Sequence, residues 1–264
     1  MDENKEKIIK LFNDNVKNKE INLTSYNKKH CGKEGHWLES NMGIKANCKN
    51  SPDIYGYEMK KESNKITLGD YCASEYLFSK KKDIIMCKNS WNKSILDYDI
   101  TRNNFIEWFG KSNEKKNNRY SWSGNCIPKY NEWNNFGQLM SVDNNNNLCI
   151  YYNYDKDERK TKTKLPEFLK IPKDLLIVFW SHEKLSHNIN NKFNKKGFFI
   201  VKKNNNLYDK ICFGKPFDYE YFIENIKNKT IFFDSGMYQG NCRNYSHFRS
   251  NINNFWNNLI IEEY

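Results

Sequence analysis

Long apolar runs are missing from this sequence. The longest, LLIVFW at 175–180, has the length of a β-strand, whereas a helix that spans a membrane needs about 20 apolar residues. The first residues, MDENKEKIIKLFND, are charged and contain no apolar stretch of the kind found in secretory signal peptides. We therefore expect a cytoplasmic protein that does not associate with membranes.

Several motifs of common enzyme and metal sites are also absent. There is no Walker loop and no GxSxG, and the histidines of HEKLSH (182–187) are five residues apart instead of the four that an HExxH helix requires. The 8 cysteines include no CxxC pair, which predicts reduced and mostly buried thiols. His30, Cys31, His36 and Cys48 have spacings that match no standard zinc site.

No repeat and no Pro- or Gly-rich linker divides the 264 residues, so the length favours a single domain, although two small ones would also fit. The apolar periodicity predicts an α/β (α+β) protein with a mixed sheet. Predicted helices cover 3–17, 33–43 and 218–228. Predicted strands include 55–60, 65–71, 83–89, a hairpin over 137–154, 175–180, 198–203, 230–236 and 256–264. Residues 88–136 are weakly periodic and have no assignment.

Basic residues outnumber acidic ones, 43 to 32, and the formal charge of +11 points to a polyanionic partner such as nucleic acid. A compositional bias toward Asn, Lys and Ile, typical of an AT-rich genome, would produce the same excess. Lysines within 80–82, 160–164 and 192–196 could neutralise phosphates, but a solvated face is the better explanation of each group taken alone. The charge is supporting information only.

The stretch SPDIYGYEMKKES (51–63) contains the clearest chemical pattern. Residues two apart in a strand share a face, so Glu58 and Lys60 point the same way and Met59 points into the opposite layer. Gly56 permits a bend that can bring Asp53 beside Glu58. Two carboxylates at an open site suit Mg²⁺, and Lys60 could orient a water or hold a phosphate oxygen.

This combination matches what phosphodiester hydrolysis requires, because a metal activates water and offsets charge on the phosphate. Short motifs also occur by chance, and a charged surface hairpin is the competing interpretation. The preceding helix adds a further acid, Glu39, which lies off the apolar stripe formed by Trp37, Leu38 and Met42.

With GHWLE ahead of PDIYGYEMK, the sequence resembles the PD-(D/E)xK nucleases, in particular the MutH-like branch with the MvaI-, BcnI- and Sau3AI-like restriction enzymes. It is also similar to LlaMI-type enzymes. The resemblance implies a restriction-endonuclease-like core with a mixed central sheet. It implies that Glu39, Asp53, Glu58 and Lys60 form the active site, with Asp53 and Glu58 as Mg²⁺ ligands. The catalytic part would cover about 1–87 plus strands from 137–202.

A polar segment near the C-terminus, FDSGMYQGNCRNYSHFRSN (233–251), offers groups that can read bases. Arg binds guanine O6 and N7 with two hydrogen bonds, and Asp accepts from cytosine N4. Asp234, Arg243, His247 and Arg249 provide such groups, although a solvated loop with incidental charges explains them equally well. The resemblance favours base recognition over about 233–250, with Tyr238 and Arg249 in matching motifs.

The sequence is therefore interpreted as a Mg²⁺-dependent type II restriction endonuclease that cuts double-stranded DNA at a short site. A cognate DNA methyltransferase would protect the host, and the resemblance implies a monomer. A repair-type nicking endonuclease under partner control and a non-catalytic basic DNA-binding protein are the alternatives.

Overall fold

The computed structural model describes residues 2–26, 32–45, 50–79, 98–171 and 173–264. The predicted strand at 83–89, the lysines at 80–82, and His30, Cys31 and Cys48 lie outside these residues. Among them the α-helices are α1 (Glu3–Asn15), α2 (Lys33–Asn41), α3 (Arg102–Phe109), α4 (His182–Phe193), α5 (Tyr219–Lys227) and α6 (Asn257–Leu259).

The strands of the described residues are β1 (Glu58–Lys61), β2 (Lys65–Asp70), β3 (Glu75–Tyr76), β4 (Lys111–Asn113), β5 (Arg119–Trp122), β6 (Phe136–Val142), β7 (Leu148–Asp157), β8 (Leu175–Trp180), β9 (Phe198–Asn204), β10 (Leu207–Gly214), β11 (Ile231–Asp234), β12 (Met237–Tyr238), β13 (His247–Asn251) and β14 (Ile260–Glu263). None of the described helices has the length and apolar character needed to cross a membrane.

The chain forms two compact units. The first contains Met1–Ile66, Ser186–Ile223 and Ser250–Tyr264, and the second contains Thr67–Leu185 and Glu224–Arg249. That both units act as one endonuclease domain stays a prediction.

The first unit is built on a four-stranded sheet in the order β1-β9-β10-β14. Strand β1 is parallel to β9, whereas β10 is antiparallel to both β9 and β14, which confirms the predicted mixed sheet. The two-residue turn between β9 and β10 uses Asn205 and Asn206, both with positive φ, as expected for a hairpin of this length.

Helices α1 and α2 cover one face of this sheet. Their buried apolar residues, among them Phe12 and Leu38, form one core cluster with Met59, Phe199 and Val201. The alternation along β1 and β9 sends Glu58, Lys60, Phe198 and Ile200 to the other face. On that face Phe198 packs against Trp256, with the two ring centroids 4.8 Å apart.

The second unit contains a four-stranded sheet, in the order β3-β8-β7-β6, a three-stranded sheet, β12-β5-β4, and most of another three-stranded sheet, β11-β13-β2. Every residue of β8 is buried, as the continuous apolar run predicts. Trp122, Trp180, Phe233 and Phe248 form a connected set of edge-to-face and tilted ring contacts in the core. This core supports β11 and β13.

Most predicted elements are confirmed, including the helices at 3–17, 33–43 and 218–228 and the hairpin at 137–154. The predicted strand over 256–264 is wrong at its start. The chain is helical through Leu259, because burying Phe255, Trp256 and Leu259 together requires helical spacing. Of the five described cysteines, Cys126, Cys149 and Cys212 are buried free thiols.

Gly197, the residue directly before β9, fixes the position of Glu58. Its carbonyl accepts the N–H of Glu58 at 3.1 Å, and its φ is +85°. A Cβ there would lie 2.4 Å from the carbonyl oxygen of Gly214. We therefore expect Gly197→Ala to lower the free energy of unfolding by about 2 kcal/mol or more in denaturant titrations.

Gly43 provides the matched control, because its φ is +75° but a Cβ there would meet nothing within 4 Å. Gly43→Ala should lower the free energy of unfolding only by the backbone strain, about 1 kcal/mol. Equal losses for the two variants would contradict the close approach at Gly197.

Candidate functional site

A tight turn places Asp53 beside β1. Ile54 and Tyr57 exchange both backbone hydrogen bonds, at 2.8 and 3.1 Å, across Tyr55 and Gly56, whose φ angles are +49° and +87°. This is the geometry of a two-residue type I′ turn. The predicted bend at Gly56 is therefore a tight hairpin turn. Across this turn, Asp53 Oδ2 accepts the N–H of Met59 at 2.9 Å.

Glu58 and Lys60 lie on the same face of β1, as the alternation predicts. The Lys60 Nζ is 2.7 Å from Glu58 Oε1, and the two side chains are only 12% and 3% exposed. The Lys60 ammonium also lies 5.8 Å from the centroid of the Phe193 ring. A salt bridge this deeply buried holds both groups in fixed positions.

A second ammonium group reaches the same carboxylate. Lys192, at the end of α4, places its Nζ 2.9 Å from Glu58 Oε1, and its side chain is 14% exposed. Sequence reasoning identified Lys192 only as a possible phosphate contact, since no local pattern relates a lysine on this helix to β1. The other carboxylate oxygen, Oε2, is buried and has no hydrogen-bond partner among the described residues.

Burial shifts the ionisation of Asp53 and Lys60. Burial, and after it the negative charge of Glu58, raises the pKa of the Asp53 carboxyl to about 6, against the opposing effects of Lys60, the Met59 N–H and Lys192. Burial also lowers the pKa of Lys60, although Glu58 and Asp53 favour its charged form. The folded protein therefore holds two carboxylates in a place where a cation would stabilise them.

The donor set fits a hard divalent cation. Mg²⁺ is usually bound by one or two carboxylates and keeps waters in its other positions, which matches Asp53 and Glu58 with its unpartnered Oε2. No group of three or more His, Cys, Asp or Glu side chains within the described part of the chain could enclose a metal. A site of this kind leaves coordination positions open for a substrate phosphate.

Glu39 lies on α2, where its Oε2 is 3.3 Å from Nδ1 of His36 and its side chain is 38% exposed. Among the contacts of the described residues, none joins it to Asp53, Glu58 or Lys60. Glu34 on the same helix accepts hydrogen bonds from Tyr208 at 2.6 Å and from Lys203. The supporting role of Glu39 stays a prediction.

Four of the predicted recognition residues cluster in the second unit. Arg249 on β13 places its Nε 3.3 Å from Asp234 Oδ2 at the end of β11. Arg243 places Nη2 2.9 Å from Oδ2 of Asp70, the last residue of β2. All four of these charges act on the ring of His247. We refer to Asp70, Asp234, Arg243, His247 and Arg249 as the arginine–aspartate cluster.

His247 lies at the centre of this cluster. Its Nδ1 is buried and has no hydrogen-bond partner among the described residues. Burial lowers the pKa of the imidazole, with Asp70 opposing the shift. The neutral ring can therefore present either a donor or an acceptor.

Tyr238, the fifth predicted residue, lies on β12 under a cation. The Arg119 guanidinium is 3.8 Å from the centroid of its ring, and Arg119 Nε is buried without a hydrogen-bond partner among the described residues. Arg102 fixes the neighbouring loop by donating to the carbonyl oxygens of Asn241 at 2.6 Å and Arg243 at 2.8 Å. Sequence reasoning missed Asp70, Arg102 and Arg119, because their partners are distant in the chain.

The fold is that of a restriction endonuclease. A solved structure titled as the restriction endonuclease MvaI in complex with its cognate DNA substrate matches with a TM-score of 0.56, at 15% sequence identity, over 98% of this chain and 95% of that one. At this identity the likeness concerns the fold alone.

The model of the LlaMI restriction endonuclease family matches residues 16–264, and the chain belongs to that family. The type II restriction enzyme ScrFI of Lactococcus lactis subsp. cremoris is 38% identical over 275 residues, covering 99% of each chain. The predicted class is confirmed: the protein is a type II restriction endonuclease, which cleaves DNA at a specific site.

The raised pKa of Asp53 predicts that this carboxylate destabilises the fold. Because the folded state raises the pKa to about 6, the stability provided by the protonated group is complete below pH about 4 and is lost as the pH rises through about 6. We expect Asp53→Asn to unfold at the same or a higher temperature than the wild type at pH 8, measured in EDTA, with a smaller difference at pH 4.

Asp155→Asn, at an exposed position, is the control for loss of one negative charge. An Asp53→Asn variant that unfolds at a lower temperature at pH 8 would show that the Asp53 carboxylate is stabilising, against its burial.

Proposed function

We propose that Asp53, Glu58 and Lys60 form the catalytic centre of this endonuclease and hydrolyse phosphodiester bonds of double-stranded DNA with Mg²⁺. One observation carries the proposal. Two carboxylates and two ammonium groups lie together on β1, its preceding turn and α4, and Glu58 Oε2 has no protein partner among the described residues. A buried, unpartnered carboxylate oxygen is costly unless it serves a ligand.

In this proposal Asp53 and Glu58 hold the metal, which supplies an activated water and offsets charge on the phosphate. Lys60 binds the nucleophilic water or a phosphate oxygen through its ammonium protons, in a site where low exposure strengthens electrostatic interactions. Glu39, on α2, acts as a supporting acid near the metal site. Membership of a restriction endonuclease family supports these roles, since divalent metal ions serve such enzymes generally.

We assign base recognition to the segment of about 233–250, with Asp234, Tyr238, Arg243, His247 and Arg249. The two Arg–Asp pairs of the arginine–aspartate cluster support this assignment, because guanidinium groups and carboxylates are the side chains that read G·C pairs in the major groove. Each carboxylate keeps its arginine in a defined position before DNA binds. Preorganised side chains lose less entropy on binding than mobile ones.

We propose that a cognate DNA methyltransferase protects the host genome, and that the endonuclease acts in the cytoplasm as a monomer. The absence of a membrane-spanning helix among the described residues is compatible with this setting.

Plasmid cleavage with Mg²⁺ tests the catalytic proposal. We expect discrete fragments from the wild type, no cleavage in EDTA, and at least about a 100-fold lower rate for Lys60→Ala and Asp53→Ala. Both variants should keep specific DNA binding, measured by gel shift in Ca²⁺, because neither residue lies in the proposed recognition segment.

Lys210→Ala is a suitable control, since Lys210 forms an exposed salt bridge with Glu263 elsewhere in the first unit. Cleavage by Lys60→Ala at close to the wild-type rate would refute the catalytic assignment. Nicked circles without linear product would indicate a nicking endonuclease.

Arg249 tests the recognition proposal. We expect Arg249→Ala to weaken binding to the cognate site by about 1–3 kcal/mol while binding to unrelated DNA changes little. The measurement is a pair of gel-shift titrations at one salt concentration. Lys227→Ala, on the exposed end of α5, should alter neither titration. Equal weakening on both DNAs would indicate a phosphate contact instead.

A further inference from the structure

One oxygen of Glu58 has two cationic partners. Lys60 and Lys192 place their Nζ atoms 2.7 and 2.9 Å from Oε1, while Oε2 has no hydrogen-bond partner among the described residues. Lys60 and Lys192 thus share one buried carboxylate oxygen, and the charge of Glu58 stays compensated when one of the two ammonium groups leaves it.

The end of α4 is held firmly enough to position this second cation. The side chain of Asn191 donates to the carbonyl oxygen of Asn50 at 2.9 Å, and that of Asn190 accepts the N–H of Tyr219 at 2.9 Å. The Phe193 ring is fully buried and stacks on that of Phe217, with the ring centroids 4.5 Å apart. Contacts on both sides of Lys192 thus fix the backbone from which it reaches Glu58.

Lys60 cannot act on substrate while it serves as the only partner of a buried charge. Moving its ammonium from Glu58 toward a water or phosphate would leave the carboxylate uncompensated, and an unpaired buried charge costs several kcal/mol. Lys192 removes this cost, because its ammonium stays on Oε1 when Lys60 moves. Since Oε1 is then occupied, Oε2 is the oxygen that remains for the metal.

We propose that Lys192 is a positioning residue for DNA cleavage: it holds and neutralises Glu58 Oε1, so that Lys60 is released for the reacting phosphate. This inference rests on the catalytic roles of Asp53, Glu58 and Lys60. Lys192 itself need not touch the DNA or the metal ion.

Lys192→Met, which keeps most of the volume and removes the charge, tests this role. We expect its single-turnover cleavage rate, at saturating DNA and Mg²⁺, to fall by about 10- to 100-fold, the usual effect of losing a partner that orients a ligand. Lys192→Arg should recover much of the rate. Calorimetric titration with Ca²⁺ in the absence of DNA should show unchanged or tighter binding, because one positive charge beside the metal is gone.

Three results would contradict this role of Lys192. A wild-type rate for Lys192→Met would overturn the inference, and so would weaker DNA binding in Ca²⁺, which would indicate a direct phosphate contact. Weaker Ca²⁺ binding together with a lower unfolding temperature would also overturn it, since this would indicate a merely structural role.

Lys60→Ala and Asp53→Ala, assayed beside it, separate the two proposals. If these variants are inactive and Lys192→Met is fully active, only the present inference fails. If they cleave normally, the catalytic assignment itself fails. Lys210→Met is the matched control, a lysine that pairs with a glutamate on the surface of the same unit.

Discussion

The buried charge of Glu58 is the constraint on which the first unit depends. A carboxylate with 3% exposure persists only if cations are supplied in the right geometry, and here they come from β1 and from the end of α4. The parallel pairing of β1 with β9, which opposes Glu58 to Phe198, and the close approach at Gly197 set the depth of this carboxylate. The sheet, the helix and the turn are therefore parts of one electrostatic arrangement.

The second unit also pairs opposite charges, but its pairs are more exposed to solvent. Its two Arg–Asp pairs hold guanidinium groups at the ends of β2 and β11, and the aromatic core under β11 and β13 keeps those strand ends in place. Arg249 is about one-third exposed and Arg243 about two-thirds exposed, so each can exchange its carboxylate for another partner. Burial requires Glu58 to keep at least one ammonium partner in the first unit, whereas exposure lets both Arg–Asp pairs of the second unit exchange partners.

Local patterns accounted for most of the fold because they encode side-chain periodicity directly. The run at 175–180 is a fully buried strand, and the stripe in 218–228 is a helix. Apolar periodicity gave no assignment over 88–136, where aromatic and polar residues are mixed. Thr101 is the N-cap of helix α3, and its side chain forms a capping box with Asn104, a signal that the weak apolar periodicity of 88–136 obscured. The segment before β14 is helical because three large apolar side chains must reach one core.

The sequence by itself determined that Glu58 and Lys60 share one face of β1, since strand alternation puts residues two apart on the same side. It also pointed to Asp53, because Gly56 permits the turn that returns the chain, and to four charged or polar members of the arginine–aspartate cluster. Only the tertiary structure decided that Lys192 shares Glu58 with Lys60, that Asp70 pairs with Arg243 and that Arg119 covers Tyr238. These contacts join residues far apart in the chain, and no local periodicity can encode such contacts, because they depend on how whole elements pack.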